Sequence, residues 1–347
     1  MSQLPLEVSD VTADWLSAAL SLQRPGLQVR RLSVDNVIWG TATKVFVTAE
    51  YEQTQPAPEL PSRLCIKGGF TPELRPAMAS GYQTESYFYR DLAPELSAGL
   101  PACYYAGVDL EHDQGIVVLA DLRATRGTFL DPLAPLKVDL VADGLATMAE
   151  WHARTAADHG WMTAPSPLRP VMRGLFRTDH WAEYTTGRLQ GEAMARVFAD
   201  RERTAVALER MWQLEDGGPR SLSHGDANVT NVYVDGEGCP RFLDWQFARF
   251  GSWAGDVALF MISALSVEDR RAHAEELMRD YLARKQARGG PSQPWGQAWS
   301  LFATSALYGA MYAIVPDEMQ PAAVRIPLAE RFVAAVDDYR TLDLLSR

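Results

Sequence analysis

A switch in hydrophobic period near residue 123 does most to limit how this chain can fold. Before it, residues 34–38, 44–51 and 63–67 alternate or run apolar with β-branched side chains, bounded by Gly40-Thr41 and the proline-rich QTQPAPELPS. That is the pattern of strands that bury one face. After it, residues 138–154 place Val141, Leu145, Met148 and His152 at spacings of four, three and four, one face of an α-helix. The remainder is mainly helical in pattern except for 229–245, where VTNVYV, DGEG and CPRFLDW read as strand, tight turn and strand. Within residues 1–30, VTADWLSAALS reads as a helix capped by Asp10 or Thr12. A further helix is expected over 78–92, and a short strand over 116–119 after the turn-like EHDQG. The chain should therefore be α+β and two-lobed. Residues 1–122 form a β-rich lobe with a leading helix, residues 123–347 a mainly helical lobe, with a ligand cleft between them.

Charge and cysteine content narrow the partners. With 33 Lys and Arg against 44 Asp and Glu, the net charge of −11 argues against nucleic acid or an anionic membrane as a partner. Cys65, Cys103 and Cys239 lie far apart with no C-x-x-C pair, which reads as reduced thiols and not as a disulfide framework or zinc site. No basic segment followed by an apolar run opens the chain, so no secretory signal is visible. Residues 296–315 carry no charge, but their Gln, Ser, Thr, Tyr and Gly content suits a buried core helix better than a lipid span. A cytoplasmic location is expected.

The chemistry concentrates in Ser223-His224-Gly225-Asp226-Ala227-Asn228-Val229-Thr230-Asn231, followed by the hairpin and Leu243-Asp244-Trp245-Gln246. Phosphoryl transfer needs a carboxylate to orient the attacking hydroxyl and metal ligands to offset charge on the phosphates. An Asp and an Asn five residues apart in a loop can point into one pocket, the Asn offering a neutral oxygen to Mg²⁺. The hairpin then returns the chain so that Asp244, at a strand end, offers an anionic ligand. HGDANVTN with LDWQ resembles the aminoglycoside-phosphotransferase and choline-kinase superfamily, relatives of the protein kinases. The resemblance implies a protein-kinase-like fold, with Asp226 as catalytic base, Asn231 and Asp244 as Mg²⁺ ligands, and His224 bracing the loop. Gln246 looks more like the ecdysteroid-kinase-like branch than the antibiotic-resistance branch. Asp256, in Gly-Asp-Val-Ala-Leu-Phe, fits the superfamily position whose Asp anchors the catalytic loop.

Other kinase parts follow in the expected order. Lys67 ends the apolar strand Leu64-Cys65-Ile66-Lys67, where an ammonium reaches the α- and β-phosphates of ATP. Glu85, eighteen residues later on a helix, can pair with it. Taken alone, a strand-end lysine is usually solvated and a helix glutamate a surface charge. Trp39-Gly40-Thr41-Ala42-Thr43-Lys44 is the candidate nucleotide-covering loop, with Gly40, Thr41 and Thr43 offering donors to phosphate, though its single glycine departs from the Gly-rich loop of protein kinases. Val117-Val118-Leu119-Ala120-Asp121-Leu122 resembles the family's hinge, which implies that the backbone of Leu119, Ala120, Asp121 and Leu122 holds adenine.

Only eleven residues separate Asp244 from Asp256, too few for a long activation segment, and Asn228 stands where protein kinases carry a lysine, so protein substrates are not expected. A silent pseudokinase would lack a lysine, base or metal ligand, whereas Lys67, Asp226, Asn231 and Asp244 are all present. No Gly-x-Ser-x-Gly elbow supports a serine hydrolase, and His152 reads as a core histidine. The acceptor is expected to be a small-molecule hydroxyl. Aromatics from Trp151 to Tyr312, mostly core, favour a bulky, partly apolar alcohol of steroid, terpenoid, macrocycle or hydroxyacyl type. The rival is an aminoglycoside or a choline-like amino-alcohol, held by acids such as Asp179, Glu183, Asp317 and Glu318 or by an aromatic cage.

Overall fold

Thr12 starts the first helix, α1 (Ala13–Ser21), its side chain accepting from the Trp15 N–H at 3.2 Å. The computed structural model describes residues 3–53, 60–96, 100–154, 161–162, 166–187, 189–317 and 319–346. The chain divides into two units, Met1–Thr128 with Leu243–Gln246, and Phe129–Phe242 with Phe247–Arg347.

In the first unit, Trp15, Leu16, Ala19 and Leu20 bury one face of α1 against strand β1 (Leu27–Ile38). This strand begins seven residues before the expected start at residue 34. Leu27 and Val29 are buried and Gln28 and Arg30 exposed, so the alternation is real, but it lies in a stretch that opens with a helical pattern. Strands β2 (Thr43–Gln53) and β3 (Arg63–Gly68) follow, then helix α2 (Arg75–Tyr87), which runs into a π-helical turn at Phe88–Leu92. Strands β4 (Cys103–Asp109) and β5 (Gln114–Ala120) complete an antiparallel sheet of order β1-β2-β3-β5-β4. Sequence reasoning missed β4, an edge strand whose residues are all half-buried and so lack a clear period of two. Leu16, Leu20, Val45, Val47, Leu64, Ile66, Ile116 and Val118 form the heart of this core.

The second unit is mainly helical. After the short strand β6 (Thr128–Phe129) come α3 (Val138–His152), α4 (Leu168–Gly174), α5 (Thr178–Thr185), α6 (Glu192–Phe198) and α7 (Arg201–Asp216). Val141, Leu145, Met148 and His152 are all buried, as their helical spacing requires. Strand β7 (Arg220–Ser223) leads to the hairpin of β8 (Val232–Val234) and β9 (Pro240–Phe242). Asp235 organises its turn, one carboxylate oxygen accepting from the Glu237 and Cys239 N–H groups at 2.9 and 3.0 Å. Strand β10 (Arg249–Ser252) pairs antiparallel with β7, and Ser252 caps helix α8 (Trp253–Ala264). Helix α8 is buried along almost its whole length, with Asp256 as its only charged residue. Helices α9 (Val267–Ala287), α10 (Trp295–Ala310), α11 (Ala322–Asp338) and α12 (Thr341–Leu345) complete the unit.

The uncharged stretch forms α10 and a 3₁₀ turn at Met311–Ile314, buried from Phe302 to Val315. No helix among the described residues is long and apolar enough to cross a membrane. The three cysteines are free thiols.

Helix α10 meets α11 at Gly309, where an added Cβ would lie 2.2 Å from the Phe332 ring. Alanine there gains about 1 kcal/mol of helix propensity but overpacks the contact at a cost of about 1–3 kcal/mol. Gly309→Ala is therefore expected to lower stability in urea unfolding. Gly296→Ala, with nothing within 4 Å of its Cβ, should be neutral or mildly stabilising.

Candidate active site

Asp256 is the fixed point beneath the motif loop. Its Oδ2 accepts from the His224 N–H at 2.6 Å, the Ser223 hydroxyl at 3.0 Å and His152 Nε2 at 3.2 Å, and its Oδ1 from the Gly225 N–H at 2.9 Å. His152 Nδ1 accepts from the Tyr281 hydroxyl at 2.9 Å, so a neutral imidazole protonated on Nε2 satisfies both partners. Burial opposes ionisation of Asp256, but the His152 hydrogen bond, with the electrostatic pull of the neighbouring imidazole groups and of Arg249, outweighs it and holds the carboxyl at about 2. Gly225 adopts φ +86°, a left-handed conformation that glycine takes without strain.

The loop presents Asp226 with both carboxylate oxygens engaged. Oδ1 accepts from the Tyr312 hydroxyl and from Asn228 Nδ2, each at 2.9 Å, and Oδ2 from Asn231 Nδ2 at 3.0 Å. His224 Nδ1 accepts from the Asp226 N–H at 3.3 Å. Asn228 Oδ1 caps the 3₁₀ turn Val229–Asn231 by accepting from the Thr230 N–H at 2.9 Å, and the Val229 N–H donates to Ser263 on α8 at 2.9 Å. Asn231 Nδ2 also donates to the Asp226 carbonyl at 2.8 Å, which turns its Oδ1 away as the oxygen that can meet a cation.

In the first unit, Lys67 Nζ donates to Glu85 Oε1 at 2.8 Å and to Asp244 Oδ1 at 2.7 Å. Lys67 and Glu85 are buried on β3 and α2. Burial alone would neutralise the lysine, but the Asp244 and Glu85 carboxylates overcome it and raise its pKa above the ordinary value. Asp244 sits at φ +67°, strained for a residue with a Cβ. Trp245 secures that conformation. Its ring is fully buried and stacks on Phe88 of the π-helical turn, with centroids 4.0 Å apart and planes within 5°.

Magnesium takes oxygen ligands, usually one or two protein groups with phosphate oxygens and water making up the rest. Asn231 Oδ1 and the Asp244 carboxylate are donors of that kind. No three His, Cys, Asp or Glu among the described residues gather into a metal cage.

Of the outer nucleotide candidates, Thr43 lies in a strand and not in the turn: it opens β2, is buried, and its hydroxyl is 3.5 Å from that of Thr71. The exposed turn carries Gly40 and Thr41, and the Thr41 carbonyl accepts from the Tyr82 hydroxyl. In the hinge segment, Leu119 and Ala120 end β5, and the Ala120 and Asp121 N–H groups already donate to the Ala102 and Arg63 carbonyls. The Asp121 carboxylate is held by Arg63 and Arg123. Leu122 opens a 3₁₀ turn, where a first N–H has no intrahelical partner. Tyr312 and Asn228 are the neighbours of Asp226 that sequence reasoning did not assign. Tyr312 lies in an apolar run far down the chain, and Asn228 read only as a missing lysine.

Solved structures place the fold among the kinase-like phosphotransferases. The GDP complex of an aminoglycoside 2'-phosphotransferase-IIIa is 12% identical, aligned over 93% of this chain and 99% of that one at a TM-score of 0.52. Choline kinase from Cryptosporidium parvum Iowa II is 11% identical over 96% and 95% at 0.53, and an ethanolamine kinase from Plasmodium vivax 13% identical over 90% and 83% at 0.51. At such identities the likeness establishes an α+β, protein-kinase-like fold alone. Residues 45–286 match the ecdysteroid kinase-like family, to which this chain belongs. No curated protein matches it in sequence.

Two substitutions test the buried charges. Asp256→Asn places an amide NH₂ against backbone donors and should cost roughly 2–4 kcal/mol in thermal unfolding. A depressed carboxyl stabilises above its ordinary value of 3.8 and loses that contribution as pH falls through about 2, so the variant should show a shallower acid decline over this window. Lys67→Met removes the buried cation that pairs with Glu85 and Asp244 and should destabilise by roughly 3–5 kcal/mol, with Glu85→Gln added to Lys67→Met recovering part of the loss.

Proposed function

We propose that this protein is an ATP- and Mg²⁺-dependent kinase that phosphorylates the hydroxyl of a bulky, partly apolar small molecule. The observation that carries the reading is the Asp226 carboxylate, oriented by Tyr312, Asn228 and Asn231 on a loop that Asp256 holds from below. A carboxylate so fixed can orient an alcohol and take its proton as the oxygen attacks the γ-phosphorus. Lys67, held by Glu85, would meet the α- and β-phosphates, and the hinge at Leu119–Leu122 would hold adenine, with the Leu122 N–H as a donor. Asn231 and Asp244 would hold Mg²⁺, which supplies neutralisation of phosphate charge when bound.

The acceptor class is argued from charge already spent inside the helical unit. Asp179 pairs with Arg177 at 2.9 Å and Asp317 with Arg325 at 2.7 Å, so each acid already has a cation partner that an aminoglycoside ammonium would have to displace. Glu318 lies outside the described residues. The Tyr184 ring stacks on His180 at 4.5 Å and carries the Arg325 guanidinium at 5.4 Å, so it offers little to a choline-type cage. Of the aromatics weighed from sequence, Trp151, Trp181, Tyr184, Trp212, Trp253, Tyr308 and Tyr312 are buried. Most of that aromatic area is therefore core, and the apolar acceptor rests mainly on the engaged acids.

The test is a nucleotide-consumption screen with Mg²⁺, run with ATP and with GTP because a solved relative holds GDP. Its panel holds hydroxysteroids, terpenoid alcohols, macrolides, hydroxyacyl compounds, aminoglycosides and choline-like amines. Turnover with an apolar alcohol, lowered at least about 10²-fold by Asp226→Ala with nucleotide affinity kept, is the expected result. Turnover with an aminoglycoside or choline instead would overturn the acceptor assignment. Absence of any Mg²⁺-nucleotide binding would overturn the kinase reading and favour a binding module.

A further inference from the structure

Beside the motif loop, the helical unit encloses charged groups that the proposed reaction does not use, and Tyr308 among them also feels the Asp226 carboxylate. Glu215, in the last turn of α7, is buried, and its nearest cation, Arg169 of α4, stands 3.7 Å away and is itself bound bidentately to Asp216 at 2.8 Å. A cavity of about 20 Å³, enough for one water molecule, lies among Glu215, Arg249, Tyr308, Ser166 and the backbone of Gly225. Two polar atoms on its lining residues, Arg249 Nη1 and the Tyr308 hydroxyl, are buried without a hydrogen-bond partner. Each unmet group of this kind costs about 1–3 kcal/mol, more than the entropy of fixing one water. A second cavity of about 10 Å³ shares Ser166, Glu215 and Arg249 and adds Arg169, Asp216 and Arg220.

Arg249 also touches the loop. A Cβ on Gly225 would lie 2.4 Å from Arg249 Nη1 and 2.4 Å from the Phe247 carbonyl, so the guanidinium sits directly against the turn that precedes Asp226. Arg249 faces Ser223 across the β10–β7 ladder, which fixes its backbone to the same loop.

We propose that Arg249 and Glu215, with a water molecule between them and Tyr308, are positioning residues that hold the Gly225 turn and thereby Asp226. The assignment of Asp226 as the base in this arrangement rests on the kinase reading. Burial pushes the Glu215 carboxyl up to about 7 against the pull of Arg249 and Arg169, with Asp216 and Asp256 adding to the rise and the Tyr308 hydroxyl alongside. The neutral acid leaves Arg249 against Gly225. As pH rises from the ordinary value of 4.5 through about 7, the stability tied to the neutral form is lost, and the ionised carboxylate draws the guanidinium off the turn.

The experiment is amide hydrogen exchange of the full chain without nucleotide, at about pH 6 and about pH 8, corrected for intrinsic rates. The neutral fraction of Glu215 falls about tenfold across that interval, so wild-type protection over residues 221–231 should fall about tenfold. Glu215→Gln should keep the higher protection at both pH values. Arg249→Met should show low protection at both, with α11 unchanged as a measure of the global fold. Glu215→Gln following the wild-type pH dependence would overturn the proposal, as would full protection in Arg249→Met. If Arg249→Met exposes α11 as well, the Glu215→Gln comparison decides. Failure of phosphoryl transfer in the nucleotide screen would remove the catalytic role of the loop without altering this measurement.

Discussion

The buried Asp256 carboxylate joins the core helix α8 to the loop that carries Asp226. Sequestering such a charge costs several kcal/mol unless its lone pairs are used. Here two backbone N–H groups, a serine hydroxyl and a histidine N–H use them, and His152 is in turn held by Tyr281. Because the donors lie on α3, β7 and the loop itself, no one of these elements can shift without stranding the charge. The loop is therefore anchored at its base for an electrostatic reason, although its conformation contains no regular secondary structure across Gly225 and Asp226.

A second charge cluster organises the sheet unit by a different balance. One buried lysine pairs with two carboxylates, Glu85 fully enclosed and Asp244 partly exposed, and burial raises the Glu85 carboxyl above its ordinary range. Asp244 adds backbone strain at φ +67°, of the kind that collects at functional sites. The stacking of Trp245 on Phe88 explains how the strain persists: a fully buried indole supplies about 1.5–3 kcal/mol or more of apolar burial, comparable with the cost of the conformation.

Local chemistry made much of this legible in advance. Thr12 caps α1, the face of α3 follows the period of its apolar residues, and Asp235 and Gly238 make the turn that the DGEG segment announced. The pairing of Lys67 with Glu85 and the anchoring by Asp256 were also foreseeable, through their order along the chain and the family resemblance. The misses share one cause. Strand β4, the early start of β1 and the burial of Thr43 depend on which neighbour covers each face, and a single sequence gives no sign of that neighbour.

The sequence by itself determined the family, the kinase-like α+β fold and which residues carry ionisable or metal-binding groups, because these depend on residue type, spacing and period. Tertiary structure alone decided their states. Tyr312 reaches Asp226 across 86 positions, Arg249 lies against Gly225, and Glu215 is buried beside a small cavity with Arg169 at 3.7 Å. Burial and charge proximity set hydrogen-bond direction and protonation, and both arise only when segments remote in sequence are packed together.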